Sequence, residues 1–210
     1  MLRILIADDH PVFRQGLRQI LNDASDMVVT DEVSDGLEVL DRVRASCCDV
    51  VLLDISLPGM SGIDILKQLE KEQPGLPVLI LTMHPEEQYA IRALRAGASG
   101  YLTKESTPDE LVTAIRKVSA GGKYVSSSLA EKLAYELGRI DEKAPHETLS
   151  DREYQIMILI ASGKTVTEIA EILSLSIKTV STYRSRILEK MRMKNSAELT
   201  YYAIKNQLVD

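Results

Sequence analysis

The amino-acid sequence predicts two folds in series: an α/β doubly wound domain built on a five-stranded parallel sheet, followed by an all-α domain. Three observations carry this expectation. Short apolar runs alternate five times with stretches of helical spacing across residues 1–120. The runs are nearly continuous in Val, Ile and Leu, so both faces of their sheet are covered, as when helices wrap parallel strands. From Leu149 onward the runs vanish and only helical spacing remains.

The predicted strands are Leu2–Ala7 (LRILIA), Met27–Thr30 (MVVT), Val50–Leu53 (VVLL), Val78–Leu81 (VLIL) and Gly100–Leu102 (GYL). Between and after them come helical sets: Val12, Leu17, Ile20 and Leu21; Leu37, Leu40 and Val43; Ile63, Leu66 and Leu69; Ile91 and Leu94; Leu111, Ile115 and Val118. His10 precedes Pro11 and is read as the start of the first helix. Thr107-Pro-Asp-Glu110 joins a capping box to a proline at the first helical position, and Ala120-Gly-Gly122 supplies the stop. The first domain is therefore placed at residues 1–122. Residues 123–148 read as a linker with one helix: Ser126-Ser-Ser128, a helical pattern through Leu129, Leu133 and Leu137, then Gly138 and a polar stretch holding Pro145 and His146.

In residues 149–210, Ser150-x-x-Glu153 and Thr165-x-x-Glu168 are two further capping boxes, and Asn195-Ser-Ala-Glu198 is a variant with Asn as the cap. Gly163 closes the first tail helix. Four helices follow, near residues 151–162, 166–173, 177–191 and 196–206.

Charge is divided unevenly over the 210 residues. Residues 1–124 carry 19 acidic and 13 basic side chains, net −6, whereas residues 149–210 carry 7 and 9, net +2. The two ends are built for different partners. No apolar run reaches the roughly 18–20 residues a membrane helix needs. The start, MLRILIADDH, is too short and acidic for a signal peptide, so a cytoplasmic protein without membrane association is expected. Cys47 and Cys48 are adjacent and cannot staple distant segments; they read as small buried hydrophobes at a helix end.

Open parallel sheets bind ligands beyond the carboxyl ends of their strands. Here the first strand ends in Asp8-Asp9, the third in Asp54 and the fourth in Thr82, and the fifth is followed by Lys104. Three converging carboxylates repel unless a divalent cation sits among them, and oxygen ligands of this kind suit Mg²⁺. Lys104 and Thr82 then offer one positive charge and one hydroxyl to phosphoryl oxygens, and an Asp carboxylate is itself able to accept a phosphoryl group. The plainer alternative, solvated aspartates capping helices, accounts for Asp8 or Asp9 singly but not for all five positions.

On Asp8-Asp9, Asp54 within LLDISLPGMSG, Thr82 within ILTMH and Lys104 within GYLTK, residues 1–120 resemble the receiver domain of two-component response regulators, a flavodoxin-like fold. The resemblance implies that Asp54 is the phosphoacceptor for a sensor histidine kinase. It implies one Mg²⁺ per receiver, held by Asp8, Asp9, Asp54 and the backbone carbonyl of Ser56. Thr82 and Tyr101 take the switch positions, Lys104 pairs with phosphoryl oxygens, and Pro58-Gly59 shapes the adjoining loop. Met83 and His84 border the phosphate pocket; His84 is not read as a base or a metal ligand. Many receivers carry Pro after the lysine, whereas Glu105 follows here, which leaves the peptide geometry at Lys104 open.

In the tail, residues 168–176 read as helix, tight turn and new helix. The helix that follows divides by spacing. Ile177, Val180, Ile187, Leu188 and Met191 make an inward stripe, and Lys178, Ser181, Thr182 and Ser185 lie opposite. Small hydroxyl side chains allow close approach to base edges in a major groove. Arg184, Arg186, Lys190, Arg192 and Lys194 add phosphate-seeking charge, with Glu189 the one acid between residues 172 and 197. A helix-turn-helix fits this better than a solvated basic helix. The elements Leu149-Ser-x-Arg152-Glu153, Gly163, Glu168-Ile-Ala170, Leu173-x-Leu175-Ser176 and Lys178-Thr179-Val180 look like the LuxR-type helix-turn-helix, and joined to a receiver they are similar to NarL/FixJ-type regulators. That likeness implies Ser181, Thr182 and Ser185 against bases, and Lys178, Thr179, Tyr183 and Arg186 near the backbone. Tyr183-Arg184 departs from the usual His-aliphatic pair, and Arg184 is expected to snorkel to a phosphate or a neighbouring helix.

The expected activity is phosphorylation-controlled binding of double-stranded promoter DNA, with a homodimer forming on phosphorylation, RNA polymerase as a further partner, and no enzymatic turnover beyond self-phosphorylation and slow self-dephosphorylation. Leu199, Tyr202 and Ala203 are read either as a dimer seam or as ordinary core. An aspartate-nucleophile phosphohydrolase is the competing class, but it would place Asp-x-Asp on the first strand, where this chain has adjacent aspartates. An unphosphorylated scaffold would need a broken site, and none of the five residues is missing.

Overall fold

A computed structural model describes residues 1–137 and 144–209, which divide into two compact units, Met1–Leu133 and Ala134–Asp210. The first holds β1 (Leu2–Ala7), α1 (Pro11–Asp23), β2 (Met27–Val33), α2 (Gly36–Ala45), β3 (Val50–Leu53), α3 (Gly62–Glu72), β4 (Val78–Thr82), α4 (Glu86–Arg95), β5 (Gly100–Thr103) and α5 (Pro108–Ser119). All four strand pairings are parallel, in the order β2-β1-β3-β4-β5.

Both faces of the central strands are buried. Ile4, Ile6, Leu52, Leu79 and Leu81 pack with Leu17 and Leu21 of α1 and with Leu111, Ile115 and Val118 of α5. The alternate residues Leu5, Val51, Leu53 and Ile80 are equally buried and point to the opposite face. The edge strand β2 runs three residues past its apolar signal, because Asp31 and Glu32 take ion pairs with Arg42 and with Arg14 and Arg18 instead of packing.

Three helical stripes differ from expectation. On α1 the inward row is Phe13, Leu17, Ile20 and Leu21, and Val12 faces solvent. Leu37 is likewise exposed while Val39, Leu40 and Val43 of α2 are buried. On α4 the buried residues are Tyr89, Ala90 and Ala93 rather than Ile91 and Leu94. Nor is Cys47 the buried residue expected: it is exposed, and Cys48 is half-buried.

After α5, Gly121 takes φ +82° and the chain turns back along β5. Tyr124 donates its amide to Ser99 and accepts the Tyr101 amide, adding a short parallel bridge at Gly100. The Ser126 hydroxyl caps α6 (Ser127–Leu137) at the Leu129 amide, and Leu129 is buried in this unit. Gly138, read as the end of that helix, lies outside the described residues.

The second unit comprises a 3₁₀ turn (Pro145–Thr148), α7 (Asp151–Ala161), α8 (Val166–Ile172), α9 (Ile177–Lys190) and α10 (Ser196–Lys205). The capping boxes at Ser150 and Thr165 form with both bonds, as does the one at Thr107. At Asn195 only one arm forms: Asn195 accepts from the Glu198 amide, while the Glu198 carboxylate accepts from Lys194 instead. All four helices close in the same way, with two reversed bonds such as Leu175 to Ala170 and Ser174 to Glu171. Gly163 supplies the left-handed residue after α7, but Ser174 (φ +52°), Arg192 (φ +55°) and Gln207 (φ +54°) do so after the others. Those ends carry no glycine signal in the sequence. Leu199 and Ala203 are buried against α7, so these two proposed seam residues are core of this unit. Tyr202 instead bonds His146 through its hydroxyl, 2.8 Å from Nδ1.

Candidate functional site

Parallel pairing of β1 with β3 sets Ala7 beside Leu53, so Asp8 and Asp54 leave the sheet side by side. This is where the strand order reverses, the crevice in which open α/β sheets bind ligands. The Asp54 amide donates to the Ala7 carbonyl at 2.9 Å and fixes the offset. Gly62 brings α3 under the site: its amide bonds the Ile55 carbonyl, and a Cβ there would lie 2.3 Å from the Asp54 carbonyl oxygen. Gly59, at φ +74°, turns the loop after Pro58, whose carbonyl accepts from the Gly36 amide.

Asp8 and Asp54 are each only 2% exposed. Between them sits the Lys104 ammonium, 2.6 Å from an oxygen of each and 4.8 Å from the Phe13 ring centre. Burial alone would lower the lysine pKa, but the Asp54 and Asp8 carboxylates more than offset it and hold the group above its ordinary value. The Lys104 amide donates to the Thr82 carbonyl, which fixes the lysine against β4. Among the described residues no peptide bond is cis, so Lys104–Glu105 is trans.

Asp8, Asp9, His10 and Asp54 each offer a ligand atom within 4.8 Å of the others. Asp9 Oδ1 lies 2.7 Å from His10 Nδ1 but accepts no hydrogen bond of good geometry. That unsatisfied oxygen, beside two buried carboxylates, fits a divalent cation with oxygen donors. His10 was expected only to open α1; the fold also carries its ring to the acidic cluster.

Thr82 is fully buried. Tyr101 is buried too, its hydroxyl donating to the His84 carbonyl at 2.8 Å, and desolvation pushes the phenol pKa well above its usual value. The His84 Nε2 lies 2.8 Å from Ser56 Oγ, and burial pushes that imidazole pKa down. The Ser56 amide donates to Asp54 Oδ1 at 3.1 Å. The Ser56–His84 contact was missed in the sequence, because 28 residues separate partners that only the pairing of β3 with β4 brings together.

In the second unit, Leu173 to Ser176 turn α8 into α9, and Ser176 caps the new helix at the Thr179 amide. Lys178, Ser181, Thr182, Ser185 and Arg186 are exposed, and Thr179 and Tyr183 half-buried. The hydroxyls of Thr182 and Ser185 donate to carbonyls of their own helix at Lys178 and Ser181, which turns their lone pairs outward. Val180, Ile187 and Met191 are buried, but Ile177 is 55% exposed and does not join the inward stripe. Arg184 reaches the neighbouring helix, donating to Ser196 Oγ at 2.9 Å. Lys190, expected among the phosphate-seeking cations, lies instead 2.6 Å from the buried Glu153 of α7. Burial would raise the Glu153 pKa, yet Lys190 and the Ser150 amide bring it below the ordinary value.

Residues 4–116 match the response regulator receiver domain, and residues 147–203 match the bacterial regulatory proteins of the luxR family. The chain belongs to the response regulators. Response regulator UvrY of Escherichia coli strain K12 is 38% identical over 211 residues, covering 99% of this chain and 96% of UvrY. Among solved structures, RcsB from Salmonella enterica serovar Typhimurium, bound to promoter rprA in the presence of the phosphomimetic BeF₃⁻, is 28% identical with TM-score 0.66, covering 96% of this chain and 97% of that one. Two RcsB dimers bound to two parallel DNAs give TM-score 0.60 at 27% identity, covering 100% and 99%. This response regulator thus joins a receiver domain to a LuxR-type DNA-binding domain, the make-up of a transcription regulator. Among its described residues, no helix is long and apolar enough to cross a membrane.

Proposed function

We propose that this response regulator takes a phosphoryl group on Asp54 from a sensor histidine kinase and that the modified receiver controls how α9 engages promoter DNA. The observation that carries the reading is the pair of buried carboxylates sharing one lysine, 2.6 Å from each, beside the exposed edge of Asp9. In the transfer, an Asp54 oxygen bonds phosphorus as the donor's phosphorus–nitrogen bond breaks and the imidazole leaves. Asp8, Asp9, Asp54 and the Ser56 carbonyl would hold one Mg²⁺, whose charge screens the incoming phosphoryl oxygens. Lys104 pairs with a phosphoryl oxygen, and Thr82 moves its hydroxyl toward the group. Tyr101 answers by changing its burial, since its hydroxyl is bonded to the loop that follows Thr82.

The domain limits are 1–122 for the receiver, 123–148 for the linker with its helix, and 149–210 for the DNA-binding domain. Ser181, Thr182 and Ser185 face bases, and Lys178, Thr179, Tyr183 and Arg186 face the backbone. Lys190 holds the reading helix to α7 through Glu153 rather than lending its charge to phosphate. A homodimer on a paired site multiplies the few base pairs one helix reads, and RcsB is a dimer in its structure with two parallel DNAs. The regulator acts in the cytoplasm, where its kinase, its promoter and RNA polymerase meet.

Acetyl phosphate with Mg²⁺ is expected to add one phosphoryl group to the wild type, read by intact mass, and none to Asp54→Ala. Labelling that persists in Asp54→Ala overturns the assignment.

A further inference from the structure

Arg14 of α1 ties the ends of two strands together beside the acidic cluster. Its Nη1 donates to the Asp8 carbonyl, and its Nε lies 3.4 Å from Glu32 Oε2 near the end of β2. The side chain is only 17% exposed, and Nε is buried without a hydrogen bond of good geometry. Glu32 supplies the counter-charge that makes this burial tolerable. Arg18 donates to the same carboxylate from solvent. The Asp8 amide donates to the Val33 carbonyl at 3.0 Å, so the Asp8 backbone is held to β2 twice, once directly and once through Arg14 and Glu32.

We propose that Arg14 is a positioning residue for the metal, fixing the Asp8–Asp9 peptide so that both carboxylates stand where a divalent cation needs them. The inference rests on the reading above that Asp8, Asp9 and Asp54 hold Mg²⁺. A peptide unit is planar, so the carbonyl that Arg14 grips and the Asp9 amide turn as one body. The grip therefore sets the direction in which the Asp9 side chain leaves the backbone. Asp9 Oδ1 accepts no hydrogen bond of good geometry, so its place follows from the backbone rather than from a partner of its own. Charge plays the smaller part, because the Glu32 carboxylate beside the guanidinium offsets its field at the cluster. A lysine would keep the charge, but a compact ammonium does not span a carbonyl and a carboxylate as the planar fork does. The polar outer half of β2 thereby acquires a role: Glu32 anchors the arginine that holds the metal ligands.

The test measures metal affinity on the full-length protein. Free Mn²⁺, which takes the same oxygen donors as Mg²⁺, is counted by its electron paramagnetic resonance signal, with Mg²⁺ added as competitor. Thermal unfolding in EDTA on the same samples keeps stability apart from affinity. The wild type is expected to bind Mn²⁺ that Mg²⁺ displaces. In Arg14→Met the Kd is expected to rise by about tenfold or more, the usual loss when a group supporting metal ligands is removed. Arg14→Lys is expected to lose affinity with it. Arg18→Met removes a cation from the same Glu32 and is expected to leave the affinity unchanged. Glu32→Gln loosens the guanidinium from the other side, raises the Kd in the same direction, and gives the answer should Arg14→Met fold poorly. Wild-type affinity in Arg14→Met or Glu32→Gln overturns the positioning role alone, as does full affinity in Arg14→Lys or an equal loss in Arg18→Met. A wild type that binds no Mn²⁺, or binding as tight in Asp9→Asn as in the wild type, overturns the metal reading, and the positioning role with it.

Discussion

Replacing Lys104 with methionine keeps most of the side chain's apolar stem and removes its charged end, which leaves Asp8 and Asp54 facing each other. Their side chains are 3% and 2% exposed, so little water reaches them. Orphaning a buried ionic partner typically costs about 3–5 kcal/mol. The contacts of the His10 amide and ring nitrogen with Asp8 Oδ1 and of the Ser56 amide with Asp54 Oδ1 survive the change, and the burial penalty of the ammonium is relieved. With those offsets, Lys104→Met is expected to destabilise the receiver by roughly 2–3 kcal/mol in chelator, a fall in Tm of about 5–10 °C. Mg²⁺ at a hundredfold excess over its Kd returns about 2.7 kcal/mol to a protein that binds it only when folded. The variant therefore gains more from Mg²⁺ than the wild type, in which the ammonium already stands between the carboxylates. Urea and thermal unfolding followed by circular dichroism, with EDTA or with Mg²⁺, measure both quantities. A variant as stable as the wild type in EDTA, or an equal Mg²⁺ increment in the two proteins, refutes the argument.

Gly62→Ala puts a methyl group 2.3 Å from the Asp54 carbonyl oxygen, so a loss of roughly 2 kcal/mol or more and slower labelling by acetyl phosphate are expected in denaturation and mass assays. Glu153→Gln tests the α7–α9 pair by pH. A carboxyl whose folded pKa is depressed contributes stability above its unfolded value near 4.5 and loses it as pH falls through the folded value. The stability gap between wild type and Glu153→Gln should therefore be widest near neutral pH and close in the window below 4.5; a gap unchanged down to pH 3 contradicts the pairing. Arg186→Ala is expected to lower the salt slope of DNA binding by about 1, whereas Arg184→Ala, whose guanidinium is engaged with Ser196, leaves it within error. Equal slopes for the two variants, measured by fluorescence anisotropy, would remove that distinction.

Much of the fold is legible locally. Apolar runs mark β1, β3 and β4 because those strands are covered on both faces, and the capping boxes at Thr107, Ser150 and Thr165 mark helix starts within one turn of sequence. Signals weaken where structure depends on distant partners. The outer half of β2 carries Asp31 and Glu32, whose arginine partners lie on α1 and α2, so no apolar period announces it. Helices ending on Ser174, Arg192 and Gln207 show no glycine, since tertiary packing holds a side chain in a left-handed conformation that costs roughly 1 kcal/mol. Val12 and Ile177 have apolar chemistry at near-helical spacing, yet the neighbouring residue or the turn takes the inward place.

For the site, residue type and strand-end position single out Asp8, Asp9, Asp54, Thr82 and Lys104, since few other chemistries require acids, a hydroxyl and one amine there. Tertiary structure alone decided what each group touches. It set Lys104 equidistant from Asp8 and Asp54, bound Lys190 to Glu153 instead of leaving it free, and placed His84 between Ser56 and Tyr101. The physical reason is range. Burial patterns and caps act over a few residues and are written in order along the chain. Ion pairs and hydrogen bonds between loops are fixed by strand register and helix packing, which bring together residues that no local pattern relates.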